Sequence, residues 1–190
     1  GIDPDGLTKE QIQTQVTREL ERSLNVEHVA YIGTDTILPG FFEKNIYQPI
    51  YHLDLFFTPL DTTVSENGIT TLRYIMGIPD TSLTIALPTN LSTADSIVSK
   101  LANDITGVMD DFDSLLWDNH EIRTERITIP LSSNFNYDKG LDRLSPFCNG
   151  LYEKPTYYMP ILTNMEPKDS IALVRTLDTL RVALINTVLV

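Results

Sequence analysis

The sequence predicts an α/β domain, and three observations support this prediction. Segments with a helical apolar period alternate with short runs that are rich in β-branched and aromatic residues. Their order is helix–strand and then strand–strand–helix–strand twice, so that a ββαβ unit occurs twice along the chain. The chain has 190 residues, of which 42% are hydrophobic, and this is enough to bury a core. Units of this kind place their helices outside and their strands inside.

The opening helix is signalled by its N-terminus. Thr8 and Gln11 have the spacing of a capping box, in which each side chain accepts a hydrogen bond from the backbone of the other residue. Apolar residues then recur at every fourth position and form one stripe: Ile12, Val16, Leu20 and Leu24. We expect a helix over 8–24 that begins the folded domain, 8–190, after a leader, 1–7, that is disordered or left by cloning.

The first ββαβ unit is predicted from turn and periodicity signals. Strands over 49–58 and 69–76 flank a Glu-Asn-Gly turn, and Pro59 is expected to end the first of them. A helix over 93–117 follows, because apolar residues keep the helical period through this segment. A strand over 121–130 completes the unit.

A polar segment, 132–147, is predicted as a loop between the two units. The second unit has strands over 148–153 and 156–162, a helix over 168–179 and a last strand over 181–190. Three apolar residues of that helix are expected to face the strands: Ile171, Val174 and Leu177.

Charge excludes several classes of partner. Lys and Arg number 14 against 26 Asp and Glu, so that the net charge is −12. Phosphate backbones and anionic membrane surfaces are bound by clustered cationic side chains, so neither a nucleic acid nor a membrane partner is expected. With no apolar run long enough to cross a bilayer and no signal peptide, we expect a cytoplasmic protein. The acidic balance suits solubility or a small cationic substrate.

His52 and Asp54 form the sharpest local pattern. Strand residues two apart share a face, so both side chains point the same way while Leu53 and Leu55 point to the other side. A neutral imidazole beside a carboxylate can act as a general acid or base near neutral pH, and the carboxylate can hold a planar cation by two parallel hydrogen bonds. A solvated strand face with two polar residues would give the same pattern.

The remaining candidates carry weaker signals. Cys148 is the only cysteine, so the chain forms no internal disulfide and no cysteine-based zinc site, and we expect no metal and no cofactor. A lone cysteine is either a nucleophile or a small buried hydrophobe. Asp110, Asp111 and Asp113 lie on the predicted helix and are interpreted as a solvated face.

Two segments of the chain resemble a known family. Residues 47–58, with the sequence YQPIYHLDLFFT, resemble the His-x-Asp strand of the guanidine-modifying enzymes, which include arginine, agmatine and peptidyl-arginine deiminases and dimethylarginine dimethylaminohydrolase. Residues 146–153 and 157–160 are similar to the strand pair of that family that contains an Asn. The resemblance implies the pentein fold, a five-bladed α/β propeller of ββαβ units, of which this chain would hold an incomplete set.

The resemblance also implies a chemistry and its residues. In that family a cysteine thiolate attacks the guanidinium carbon and forms a thiouronium intermediate, while a histidine moves protons and acidic side chains hold the guanidinium. A hydrolase of guanidine C–N bonds is therefore implied, with a small cationic guanidino substrate. His52 would be the acid/base and Asp54 a guanidinium clamp, and Asn149, Phe41 and Phe42 would bind substrate. The two phenylalanines belong to a predicted loop, 34–47, that could close over the site.

The nucleophile departs from the family pattern. In the family it usually lies in a Gly-rich segment after a helix and strand like 167–190, whereas Cys148 aligns with the Asn-containing strand. Cys148 is therefore expected to be a structural or pocket-lining thiol, although it is also this chain's one candidate nucleophile, and the chain alone is expected to be inactive. The alternatives are a non-catalytic pentein-like binding or interaction protein and an unrelated α/β interaction domain. A homodimer is left open.

Overall fold

The fold is of the α/β class, as the sequence predicts, with two sheets and three helices among the described residues. A propeller of such units stays a prediction. The chain divides into two compact units, Gly1–Gly33 and Thr34–Val190. The computed structural model describes residues 6, 8–26, 56–87, 91–136 and 140–190.

Helix α1, Lys9–Leu24, confirms the helix predicted at the start of the chain. The backbone N–H of Gln11 donates to Thr8 Oγ1 at 3.3 Å, and the N–H of Thr8 donates to Gln11 Oε1 at 2.8 Å, so the capping box is complete. Asn25 ends the helix in the left-handed conformation, and its N–H donates to the carbonyl of Glu21. Asn tolerates this conformation better than most residues, which explains why it stops the helix here.

The first ββαβ unit forms most of a four-stranded sheet. It consists of β1 (Phe57–Val64), β2 (Thr70–Leu87), α2 (Leu91–His120) and β3 (Arg123–Asn136). β1 pairs antiparallel with β2, and β2 pairs parallel with β3 across the crossover helix α2. A short strand, β4 (Gly140–Leu144), pairs antiparallel with β3 and completes the order β1-β2-β3-β4.

The second ββαβ unit forms a three-stranded sheet with the same pattern of connections. It consists of β5 (Leu151–Glu153), β6 (Thr156–Met159), α3 (Pro167–Val182) and β7 (Asn186–Leu189). β5 pairs antiparallel with β6, and β6 pairs parallel with β7 across α3. The two ββαβ units predicted from the sequence are therefore confirmed.

The core is built where α2 packs on the strands of the first sheet. Leu101, Ile105 and Met109 recur at four-residue spacing on α2 and are buried against the sheet, in which Ile75 and Ile129 are fully enclosed. Burial of such a side chain stabilises a fold by about 1.5–3 kcal/mol. No helix in the described part of the chain is long and apolar enough to cross a bilayer.

Pro59 lies inside β1, so the prediction that it ends the strand is wrong. It pairs with Tyr74 of β2, and the register then shifts before Thr62. Because β1 is an edge strand, the missing N–H of a proline need not remove a hydrogen bond from the sheet.

The predicted loop over 132–147 is also wrong, because β3 continues to Asn136 and β4 follows. The polar residues that suggested a loop are paired inside the protein. The N–H of Ser132 donates to Ser145 Oγ at 3.0 Å, and the N–H of Ser145 donates to the carbonyl of Ser132 at 2.9 Å. Buried hydroxyl groups that find partners can occupy strands.

The orientation of α3 differs from the prediction. Ile171 and Val174, expected to face the strands, are 46% and 58% exposed. The Asp169 carboxylate instead faces inward, where it accepts hydrogen bonds from Arg143 and Ser132, and this fixes the rotation of the helix. The buried positions of α3 are Asp169, Ala172, Thr176 and Leu180.

Several element bounds also differ from the predictions. β2 runs on to Leu87 with a register shift between Pro79 and Thr84, so it is longer than the predicted strand. α2 exceeds the predicted helix at both ends, and α3 extends to Val182, which delays the last strand to Asn186. The sequence also predicts a short strand after the opening helix, at Val29-Ala30-Tyr31-Ile32, and this strand and the predicted loop over 34–47 lie outside the described residues.

Candidate functional site

The predicted site residues are divided between described and undescribed parts of the chain. Cys148 and Asn149 are described, and so is the chain that leaves the His-x-Asp motif, 56–58. The contacts of these two segments define the described part of the candidate site. Four predicted site residues lie outside the described residues: Phe41, Phe42, His52 and Asp54.

Thr58 joins the end of the His-x-Asp segment to the segment around Cys148. Its hydroxyl donates to the backbone carbonyl of Cys148 and lies 3.7 Å from Cys148 Sγ. The neighbouring Phe56 is buried, and its carbonyl accepts a hydrogen bond from the N–H of Gly77 at 2.9 Å. The chain is therefore fastened to both β2 and the Cys148 segment directly after the motif.

Cys148 is fully enclosed. Its side chain is 0% exposed, and Sγ donates to the carbonyl of Ile75 at 3.5 Å. A nucleophilic cysteine works as a thiolate in a partly exposed, electropositive environment, whereas this thiol lies among Thr58, Ile75 and the core. The placement fits the structural thiol expected from the sequence, and its role as a nucleophile stays a prediction.

The residues after Cys148 form a tight turn against β6. The N–H of Asn149 donates to the carbonyl of Pro146 at 2.8 Å, and the Asn149 side chain is exposed. Gly150 leaves no room for a side chain, because a Cβ there would lie 2.5 Å from Cζ of Tyr157. Tyr157 is buried and donates its hydroxyl to the carbonyl of Phe147 at 2.7 Å. Burial raises the pKa of Tyr157 well above its ordinary value, so the phenol stays protonated.

A polar cluster between α2 and the sheet was missed by sequence reasoning. Tyr74 is buried and donates to Asp113 at 2.8 Å, and Arg126 donates to the Tyr74 oxygen at 2.9 Å and to Asp110 at 2.9 Å. Burial, reinforced by the Asp113 carboxylate, raises the pKa of Tyr74 well above its ordinary value. The solvated-face interpretation holds for Asp111 but is wrong for Asp113, which is 23% exposed and paired with Arg126.

A second missed cluster surrounds Asp169, whose side chain is 1% exposed. Its carboxylate accepts from Ser132 Oγ at 2.6 Å, from Arg143 at 2.7 Å and from the N–H of Glu166 at 2.9 Å. These bonds tie the start of α3 to β3 and β4. A sequence signal existed, because Asp169 stands three residues after Glu166 at a proline-led helix start, as a capping residue does.

An open groove of about 440 Å³ lies between α2 and the strands β2 and β3. Its polar lining includes Asp80, but this carboxylate is already paired with Arg175 at 3.1 Å. Within the described ranges, no three His, Cys, Asp or Glu side chains converge in a way that could hold a metal ion. The other polar residues of the groove are Thr81, Ser99, Asn103 and Thr128.

Comparison with known proteins gives one distant likeness. No family model matches the sequence, and no curated protein matches it. A crystal structure described as the "Putative Arginine Deiminase" from Porphyromonas gingivalis is similar over 98% of this chain, at 17% sequence identity and a TM-score of 0.43. This chain spans 42% of the length of that structure's chain. At this identity and TM-score, the likeness establishes neither the family nor the activity of this chain.

Proposed function

We propose that this chain belongs to a hydrolase of guanidine C–N bonds, in which His52 is the acid/base and Asp54 clamps the guanidinium. The observation that supports the proposal is the contact between Thr58 and Cys148. It joins the two segments on which the resemblance to guanidine-modifying enzymes rests, although they lie 90 residues apart. Two chance resemblances in separate segments would have no reason to meet in the fold.

Sequence parity supports a shared face for the two site residues. His52 and Asp54 stand at even-numbered positions of the segment, as do Phe56 and Thr58, both of which are buried. Phe56 belongs to the same core cluster as Cys148. In the strand predicted over 49–58, residues two apart turn their side chains to one side, so His52 and Asp54 share a face. The proposal therefore places the imidazole and the carboxylate on one face of a strand.

The proposed reaction has two steps. A cysteine thiolate attacks the central guanidinium carbon, and the C–N bond to the leaving amine breaks as His52 gives that amine a proton. Water then gives a proton to His52 and attacks the thiouronium carbon, and the C–S bond breaks to return the thiolate and release a ureido product. Asp54 accepts two parallel N–H bonds from the guanidinium and holds it in one plane through both steps.

Burial argues against Cys148 as the nucleophile. Cys148 is the only cysteine of the sequence and its side chain is 0% exposed, so it has no open path to a substrate in the described fold. The chain by itself is therefore expected to bind a guanidino compound without turning it over. The same burial favours a second candidate function, a non-catalytic pentein-like protein that binds guanidino compounds or a partner.

Titration calorimetry of the 190-residue chain with arginine, agmatine and methylated arginine tests the proposal. We expect binding without release of amine, and Asp54→Asn should weaken binding by at least about tenfold, the equivalent of 1.4 kcal/mol. Asp111→Asn makes the same charge change at an exposed position of α2 and should leave binding unchanged.

Each outcome separates the candidates. If no compound in the panel binds, the guanidine proposal fails. Turnover by the chain alone that Cys148→Ser abolishes, with the fold intact, would make Cys148 the nucleophile. Binding without turnover, even by a longer protein that supplies a further cysteine, would select the non-catalytic candidate.

A further inference from the structure

The outer side of β7 carries backbone groups that no strand pairs in the described part of the chain. The N–H groups of Asn186 and Val190 donate toward β6 at 3.2 and 3.0 Å. In a parallel pair, alternate residues direct both backbone groups to the same neighbour, so Thr187 and Leu189 direct theirs to the opposite side. β7 therefore presents two donors and two acceptors along an open edge.

The other edges of the two sheets carry features that discourage pairing. β1 contains Pro59 and a register shift before Thr62. β4 includes the charged residues Asp142 and Arg143, and β5 includes Glu153. β7 has the sequence Asn-Thr-Val-Leu, without proline, charge or register shift. Proline, charged residues and an irregular register protect edges, and β7 lacks these three features although it is short, with four residues.

Several apolar side chains are exposed on β7 and on the helix of its unit. Val188 and Leu189 are 45% and 43% exposed on the strand itself. The helix of the same unit, α3, also leaves Ile171, Val174 and Val182 exposed. Exposed apolar groups beside unpaired backbone groups are typical of a surface that meets another strand.

The distribution of charge indicates which strand β7 meets. Residues 145–190 contain four Lys or Arg and four Asp or Glu, so the whole net charge of −12 lies on residues 1–144. Two copies of an acidic chain repel each other, and the repulsion is least where their contact surfaces carry no net charge. The sequence of the last ββαβ unit carries no net charge, and this favours a second copy of the chain as the occupant.

We propose that β7 pairs antiparallel with β7 of a second copy, about a two-fold axis at Val188. In this register Thr187 exchanges both backbone hydrogen bonds with the partner's Leu189, and Leu189 does the same with the partner's Thr187. Val188 stands opposite the partner's Val188. The arrangement uses every unpaired backbone group of β7 and joins two three-stranded sheets into one continuous sheet.

The mass of the full chain in solution tests the pairing. Sedimentation over a concentration series should show a dimer of the 21.4 kDa chain. Leu189→Lys puts a charge on the open edge and should raise the dissociation constant by at least about tenfold. Val64→Lys makes the same charge change on the edge strand β1, where Val64 is also exposed, and should leave the dimer intact. Circular dichroism melts of both variants establish that they fold.

Single cysteines test the register. Val188→Cys should form a disulfide-linked dimer under mild oxidation, because directly opposed residues of a non-hydrogen-bonded pair have Cα atoms about 4.5 Å apart. Leu189→Cys should not form this disulfide. In this register Leu189 stands opposite the partner's Thr187, so the two introduced cysteines are offset by two residues along the strands, beyond the roughly 7 Å that a disulfide spans. Cys148 is enclosed and should not interfere. A chain that stays monomeric, a dimer that Leu189→Lys does not weaken, or a cross-link through Leu189→Cys alone would each overturn the proposal.

Discussion

The two ββαβ units share one pattern of connections and are held together differently. In the first unit, β2 and β3 have 18 and 14 residues, and the 30-residue α2 buries Leu101, Ile105 and Met109. In the second unit, the strands have three or four residues, and α3 buries the hydrogen-bonded carboxylate of Asp169 beside Ala172 and Leu180. The first unit is therefore stabilised mainly by apolar packing, and the second combines apolar contacts with a buried, hydrogen-bonded carboxylate.

This contrast shows that the order of connections does not determine how a unit is stabilised. An antiparallel pair followed by a helical crossover forms in both units, with long strands and with short ones. The second unit obtains its stability from specific bonds to its surroundings, such as Asp169 to Ser132 of β3 and Tyr157 to the carbonyl of Phe147. Mutations should therefore act through lost apolar contacts in the first unit. In the second unit they should act through steric overlap at close contacts or through lost ion pairs and hydrogen bonds.

The largest expected effect tests the apolar packing of the first unit. Ile105→Ala should lower the free energy of unfolding by about 2–5 kcal/mol, because it leaves a cavity between α2 and the sheet. Ile97→Ala removes the same atoms from an exposed position of the same helix and should change stability by no more than about 0.5 kcal/mol. Urea denaturation measures both, and equal losses would contradict the described packing.

The next effect tests the close fit of the second unit. Gly150→Ala should cost about 1–3 kcal/mol, because the new Cβ would overlap the Tyr157 ring. Gly107→Ala is the matched control, since no atom lies within 4 Å of a Cβ at this helical position. It should stabilise the protein by about 0.5–1 kcal/mol. Thermal melts of the two variants should therefore shift in opposite directions, and a shift in the same direction would refute the fit.

High pH tests both units through one tyrosine in each. Burial raises the pKa of Tyr74 and of Tyr157 above the ordinary value of about 10, so their protonated forms stabilise the fold below that pH. Stability is lost as the pH rises above about 10, because the unfolded chain then releases protons that the folded chain retains. The free energy of unfolding should fall by about 1.4 kcal/mol per pH unit for each tyrosine.

Two single substitutions assign that pH dependence. Tyr74→Phe and Tyr157→Phe should each remove one tyrosine's share of the slope, and the double variant should remove both. Denaturant titrations between pH 9 and pH 12 measure the slopes. An unchanged slope in either single variant would mean that this tyrosine is not protected in the fold.

The smallest expected effect concerns an ion pair between α3 and β2. Arg175 and Asp80 are 3.1 Å apart, and their side chains are 51% and 30% exposed. Solvent screens such a pair, so Arg175→Ala should cost only about 0.2–1 kcal/mol and less at high salt. Arg181→Ala, in the same helix, serves as the comparison. A larger loss that persists in high salt would show that the second unit depends on this pair more than its exposure implies.

Local signals in the sequence predicted the order of elements but not the orientation of every element. The capping box of α1, the turns and the apolar periods lie within a few residues of each other, so both ββαβ units could be predicted. The rotation of α3 could not, because the partners of Asp169 are Ser132 and Arg143, which are 37 and 26 residues away. The strands within 132–147 could not be predicted either, because the polar side chains of this segment are typical of a solvated loop and their buried partners are not visible in the sequence.

The candidate site shows the same division. The spacing of His52 and Asp54 and the lone Cys148 were visible in the sequence, and their chemistry could be stated as a hypothesis. Whether Cys148 is enclosed depends on Thr58 and Ile75, which are 90 and 73 residues away. No local pattern encodes these contacts. The sequence could name the candidate thiol but not its surroundings.

Because Cys148 is buried, the reactivity of its thiol reports local opening of the fold. Because it is the sole thiol and lies between Thr58 and Ile75, a thiol reagent can modify it only when this part of the fold separates. The modification rate, divided by that of an exposed thiol, gives the equilibrium constant of that separation, and the free energy follows from its logarithm. A guanidino ligand that holds the neighbouring chain in place would slow the labelling, so one chemical readout would report both the stability of the site and its occupation.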